Sequence, residues 1–168
     1  MVATRTIGID PGTARMGWGV VEEVGGTLQL VGCGVLTTPA GVSQASRLLQ
    51  LYNDLRGLIE RYRPAAAAIE ELFFGKNVNT ALTVGQARGI ALLAFAQAGI
   101  PVHEYKPLQV KQALAGYGGA DKRQVQEMVR LTLRLSAVPR PDDAADAVAV
   151  AICHTYAAPM IRRIEESR

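Results

Sequence analysis

The sequence predicts an α/β fold built on a mixed sheet, three antiparallel N-terminal strands plus parallel strands, with helices on both faces. Three observations predict it. Apolar runs at residues 4–10, 16–24 and 27–36 follow one another with only short turns between them, the pattern of an antiparallel meander. Later strand-like runs at 65–70 and 101–105 are each preceded by a stretch of helical periodicity, which gives sheet strands joined through helices. The remaining chain, after residue 105, reads as helices only. With 168 residues the chain is expected to form one domain, 1–168, large enough to bury roughly two-thirds of its unfolded surface without disulfide or zinc support.

The elements follow from local chemistry. Gly25-Gly26 is a tight-turn signal between the second and third strands. Ser43 or Ser46 can cap a helix reaching about Tyr62, whose apolar face is Leu48, Leu49, Leu51, Leu55, Leu58 and Ile59, and Pro64 stops it. The small apolar run 65–70 fits a central strand covered on both faces. Asn79 is the expected cap of a helix to about Ala98, along which Gly85, Gly89 and several alanines permit close approach, within the domain or between subunits. A helix carrying Lys111 ends at Gly116-Tyr117-Gly118-Gly119, a turn that either offers amides to a phosphate or simply joins helices. Asp121 with Gln124 forms a capping-box-like start for a helix to about Leu135, and the last helix is expected over 142–157.

Four carboxylates stand at the ends of these apolar elements. Asp10 ends the first strand and is followed by the turn residues Pro11 and Gly12; Glu70 ends the fourth; Asp143 and Asp146 lie three apart at the start of the last helix. The i, i+3 spacing puts the last two on one helix face. Each alone has an ordinary reading: a solvated strand end, a helix cap or a first-turn acid. Together they are costly at the ends of buried elements unless compensated, and a divalent cation with oxygen ligands, magnesium or manganese, is the usual compensator.

Charge and cysteines narrow the partners. The net charge is +3, but between Lys106 and Arg140 the basic residues Lys106, Lys111, Lys122, Arg123, Arg130, Arg134 and Arg140 face only Asp121 and Glu127. Such a segment is either a solvated helix face or a surface for a polyanion. The two cysteines, Cys33 and Cys153, have no metal-ligand spacing and read as buried thiols. No leader pattern precedes Ile7 and the Gly89–Ala96 run is too short to span a bilayer, so a soluble, cytoplasmic protein is expected.

Four motifs carry a resemblance. Ile7-Gly8-Ile9-Asp10-Pro11-Gly12 with Gly17-Trp18-Gly19-Val20, then Ala68-Ile69-Glu70-Glu71-Leu72-Phe73, then Gln109-Val110-Lys111-Gln112, then Asp143-Ala144-Ala145-Asp146-Ala147 resemble, in order and over essentially the whole chain, the RuvC family of Holliday-junction resolvases. The resemblance implies a ribonuclease-H-like fold and a homodimeric, magnesium-dependent endonuclease. It further implies paired symmetric nicks in a four-way DNA junction that leave 3′-hydroxyl and 5′-phosphate ends. By the same resemblance Asp10, Glu70, Asp143 and Asp146 are the catalytic metal ligands. Phe73 is set against bases near the junction centre, and Lys111 and Lys122 lie near the DNA. A branch-migration motor and its junction-binding subunit are the implied protein partners. Two metal ions about 4 Å apart, Mg2+ or alternatively Mn2+, would clamp the scissile phosphate, with Asp10 bridging as the most central acid.

Several residues need separate weighing. Glu71 is adjacent to Glu70 and, in a continuing strand, points to the opposite face; Asp142 lies about 100° around the helix from Asp143 and suits a cap. His154 shares the helical face of Asp143 and Asp146 but lies roughly 12–16 Å along the axis, too far to share an ion, and His103 has no motif around it. Phe73 and Phe74 alone read as core aromatics; stacked on an unpaired base, one would contribute about 1–3 kcal/mol. Rival readings are an actin-like phosphotransferase, which needs a second phosphate loop and a second domain that this length does not supply, a ribonuclease-H-like nuclease for another nucleic acid, and a non-catalytic junction-binding scaffold.

Overall fold

The computed structural model describes residues 3–71 and 78–167. Over them the elements run β1 (Thr4–Asp10), β2 (Arg15–Val24), β3 (Thr27–Thr37), α1 (Gln44–Tyr62), β4 (Ala66–Glu70), α2 (Val78–Gln97), β5 (Val102–Tyr105), α3 (Pro107–Ala115), α4 (Lys122–Thr132) and α5 (Asp142–Glu166), in the order the sequence predicts. The sheet order is β3-β2-β1-β4-β5. The first three strands pair antiparallel, while β4 pairs parallel with β1 and with β5. This arrangement is the expected mixed sheet.

Local chemistry sets the joints. Gly25 and Gly26 both adopt positive φ, the backbone a two-residue hairpin demands. Ser43 caps α1 by accepting from the Ser46 amide, and Arg63 ends it in the left-handed region before Pro64. Asp121 and Gln124 form the reciprocal capping box of α4.

Strand alternation divides the core in two. Ile7, Ile9, Val20, Ala67 and Ile69 pack with Leu51 and Leu55 of α1 and with Ala87, Ala91 and Phe95 of α2. Val21 and Ala68 belong to the opposite layer, with Val148 and Ile152 of α5 and Val110, Leu114, Val125 and Val129 of α3 and α4. Helix α5 is apolar all round from Ala147 to Cys153 because it is buried all round: the sheet lies on one side, α3 and α4 on the other. Among the described residues it alone is long and apolar enough to cross a bilayer, yet 56% of that window is buried in the protein, as expected of a core helix.

Glycines let α5 lie on the sheet. A Cβ at Gly8 would sit 2.0 Å from the Ala147 carbonyl oxygen, one at Gly17 2.0 Å from that of Asp143, and one at Gly19 2.4 Å from Val148 Cγ2. No larger residue fits there without moving backbone.

The elements depart from the sequence reading in places. Leu49 is 61% exposed and outside the α1 core face. Asn79 is already helical, so it is not the cap of α2. Helix α4 ends at Thr132, before the expected Leu135. Helix α5 continues through Pro159 to Glu166, past the expected end at 157. Its added turns consist largely of helix-favouring Arg, Ile and Glu, and they need no apolar pattern to continue.

Gly8→Ala and Gly17→Ala should each cost about 3 kcal/mol or more, the upper end for overpacking, seen as a fall in Tm of about 6 °C or more. Gly57→Ala is the control: it lies inside α1 with open space around its would-be Cβ, and should stabilise by about 0.5–1 kcal/mol.

Candidate active site

Three elements deliver four acids to one end of the sheet. Asp10 is the last residue of β1 and Glu70 the last of β4. These neighbours are parallel and in register up to Ile9 opposite Ile69, so the next residues stand side by side. Asp10 is two residues from Gly8, on the α5 face of the strand, and Glu70 is two from Ala68 in the same layer. Helix α5, seated on Gly17 at the Asp143 backbone, brings in Asp143 and Asp146 from its first turns.

The charges interact. Asp10 and Glu70 share a side-chain hydrogen bond. Burial first, then the carboxylates of Glu70, Asp146 and Asp143, push Asp10 up to about 8. Glu70 is also raised, by burial and then by Asp146, and Asp146 by burial against the opposing pull of Lys122. Buried negative charge therefore exceeds what the protein neutralises at Asp10.

Cations hold the outer acids. Lys122 Nζ lies 2.9 Å from Asp146 Oδ2 and 3.8 Å from Asp142 Oδ2, and its ammonium pKa is raised chiefly by the bond to Asp146. Arg15 Nε lies 2.9 Å from Asp143 Oδ2. Lys111 and Lys122 line a cavity of about 200 Å³ together with Glu70 and Asp146. Among the described residues no three His, Cys, Asp or Glu side chains enclose an ion as they stand, and Arg15 and Lys122 pair with two of the four acids. The donor set still fits a divalent metal: all oxygen, converging on Asp10, with the uncompensated charge that a cation would neutralise.

The ambiguous neighbours separate cleanly. Glu71 donates its amide to the Tyr105 carbonyl at 2.7 Å and acts electrostatically on Arg88 of α2, away from the four acids. Asp142 is the first residue of α5 rather than its cap, which is Pro141; Arg140 Nη1 binds it at 2.5 Å. Phe73 lies outside the described residues.

Two features escaped sequence reasoning. Arg15 carried no motif of its own; its position at the start of β2, across a short turn from Asp10, was the available signal. The histidines form a pair: His103 and His154 stack with ring centroids 4.5 Å apart, and His154 Nδ1 is 2.8 Å from the Tyr105 hydroxyl. Burial and then His103 lower His154 to about 4, so it is a neutral structural group, away from the acids.

The family profile described as crossover junction endodeoxyribonuclease RuvC matches residues 6–154. A crossover junction endodeoxyribonuclease RuvC of Roseiflexus sp. (strain RS-1) is 86% identical over 168 residues, covering 100% of both chains. The Thermus thermophilus RuvC structure matches with a TM-score of 0.86 and 41% identity, over 94% of this chain and 96% of that one. T. thermophilus RuvC in complex with Holliday junction substrate matches with a TM-score of 0.85 and 38% identity, over the same 94% and 96%. The shared fold is ribonuclease-H-like.

In metal-free protein Asp10 and His154 should pull stability in opposite directions as pH changes. Folded Asp10 holds its proton up to about 8 against an ordinary 3.8, so the native state binds the extra proton and stability falls as pH rises through that window. His154 acts oppositely: its folded value of about 4 lies below the ordinary 6.5, so its contribution is complete above 6.5 and is lost as pH falls toward 4. Asp10→Asn should raise metal-free stability at pH 8 by about 1–2 kcal/mol, or ~2–8 °C in Tm. It should remove the fall between pH 6.5 and 8 and uncover the His154 rise between 4 and 6.5, which the Asp10 slope otherwise opposes. Melting curves across pH in a chelator check this.

Proposed function

The chain belongs to the RuvC family of crossover junction endodeoxyribonucleases, and we infer that it resolves four-way (Holliday) DNA junctions by paired symmetric nicks, hydrolysing phosphodiesters with divalent metal. The observation that carries this reading is the convergence of Asp10, Glu70, Asp143 and Asp146 from β1, β4 and α5 onto one end of the sheet, beside Lys111 and Lys122. We assign the whole of 1–168 to one nuclease domain working on DNA in the cytoplasm.

In the proposed mechanism Asp10 and Glu70 form the buried half of the ligand set, and Asp143 and Asp146 the outer half, together suited to two Mg2+ ions, with Mn2+ also compatible with these donors. Bound divalent ions supply Lewis-acid activation of water and of the scissile phosphate. The chain's own residues do the rest. The sheet ends hold Asp10 and Glu70 rigidly, so little reorganisation accompanies reaction. Lys111 binds the DNA backbone from the cavity wall. Lys122, half-exposed and hydrogen-bonded to Asp146, keeps that carboxylate oriented and meets the substrate phosphates from α4. Phe73, three residues after the strand-ending Glu70, is assigned to stacking on an unpaired base.

Two matched nicks require two sites related as the junction arms are related, and a C2 dimer provides them. Helix α2 offers the face. Val78, Leu82 and Leu93 are 78%, 61% and 56% exposed, and Gly89 in the same stripe has open space around it. The buried side of the helix uses Ala87, Ala91, Ala94 and Phe95 instead. The alanines of α2 thus make the close contact within the domain, and the Gly89 stripe is the face we assign to the subunit contact. A branch-migration motor and its junction-binding subunit are the proposed further partners.

Strand-specific cleavage of a synthetic four-way junction with magnesium tests the reaction. Paired symmetric nicks are expected on the junction and not on linear duplex or RNA–DNA hybrid, with loss in Asp10→Asn by at least ~100-fold. Cutting of the hybrid alone would retain the acids and replace the substrate; tight junction binding without cutting would mark a scaffold. For the dimer, Gly89→Glu adds a charge to the stripe at a position where an added Cβ has open space among the described residues. The wild type should sediment as a dimer and Gly89→Glu as a monomer, with unchanged circular dichroism.

A further inference from the structure

The cations around the acids are unequally committed. Lys111 and Lys122 reach the site from α3 and α4, on the cavity side shared with Glu70 and Asp146. Arg15 comes from β2 and touches the other outer acid, Asp143. It does so through Nε alone, and no other hydrogen bond or ion pair of its side chain occurs among the described residues. Arg88 and Arg130 spend their outer nitrogens by contrast: Arg88 grips Glu104 with Nε and Nη2, each at 2.6 Å, and Arg130 places Nη2 on Glu127 and Nη1 on the Leu135 carbonyl. The Arg15 side chain is 51% exposed, so its two Nη groups are open to a ligand.

The backbone under Arg15 is fixed. Gly17, two residues on and on the same strand face, lies directly against Asp143, and Thr38 bonds the Ala14 carbonyl at 3.1 Å. The Nε bond to Asp143 orients the guanidinium plane before any substrate arrives. A planar fork with two free parallel N–H pairs, held beside a cluster of carboxylates, is matched to the one kind of anion that must approach those acids: a phosphodiester.

We propose that Arg15 is a phosphate-binding residue. Its free Nη pair grips the DNA backbone on the Asp143 side of the acid cluster, opposite Lys111 and Lys122, so the strand is held on both flanks of the cut. The proposal deepens the junction-resolving reading and rests on it. Lysines on one side alone would tether the strand; a contact on each side fixes which phosphate sits over Asp10.

The test is junction binding without divalent metal, measured against salt for the wild type, Arg15→Gln, Arg15→Lys and, at the far end of α5, Arg163→Gln. Losing one phosphate contact should reduce the slope of log affinity against log salt by about 0.9. Between ~50 and ~200 mM salt the affinity gap between Arg15→Gln and wild type should then shrink about threefold. Arg15→Lys should keep the slope with several-fold weaker binding, and Arg163→Gln should match wild type. The same Gln change in an Asp143→Asn background should lose the same slope. No further loss there would mean that Arg15 only neutralises Asp143, and would overturn the proposal. Wild-type slope and affinity in a folded Arg15→Gln would do so as well, as would full recovery by lysine. Failure of the wild type itself to prefer the junction over duplex would instead strike the junction-resolving reading.

Discussion

The seating of α5 directly on β1 and β2 is the constraint on which the rest of this structure depends. Gly8, Gly17 and Gly19 remove the side chains that would hold the helix away, and backbone atoms of Asp143 and Ala147 occupy the space. The consequence runs from packing to chemistry. A helix seated by backbone contact cannot slide to accommodate a larger residue, since protein interiors are close-packed and transmit strain. Its first turns therefore come to a defined place over the ends of β1 and β4. Were α5 held a side chain's width further out, Asp143 and Asp146 would part from Asp10 and Glu70.

The site so assembled is electrostatically expensive. Burial and mutual repulsion raise Asp10, Glu70 and Asp146 together, which is stability given up for function. The protein offsets part of the cost with Arg15 and Lys122, both half-exposed and both on the outer acids. The inner pair forms no ion pair of its own among the described residues; Lys122 reaches Glu70 only through its field, and the two acids share a hydrogen bond. That division separates the acids that meet solvent and substrate from those a cation must compensate.

Much of this was legible in the residues. Periodicity and turn chemistry marked every strand and helix in order, because the Gly-Gly turn, the Ser43 cap and the Asp121–Gln124 box act within a few residues of themselves. Strand alternation, also local, keeps Glu70 and Glu71 from sharing one face, while the choice of Glu70 came from the family motif. Less legible were features that depend on what lies opposite. Leu49 sits among core leucines in sequence yet faces solvent, and the pattern of one helix does not say how wide its covered stripe is. Asp142, read as a cap, is instead the first helical residue with Arg140 as partner.

By itself the sequence determined the element order, the sheet class, the acids at the element ends and the family to which the motifs belong. These rest on spacing, turn residues and burial periodicity, all carried by residues close in the chain. Tertiary structure alone decided which groups meet: Arg15 on Asp143 across 128 positions, Lys122 on Asp146 across 24, and the stacked His103 and His154 beneath Tyr105. It also decided that α2 turns its alanines inward and leaves Leu82, Gly89 and Leu93 largely uncovered among the described residues. The physical reason is common to all of them. Contact between distant residues is set by how helices seat on a sheet, and that seating depends on shape and close packing summed over the whole core, which no local run of residues encodes.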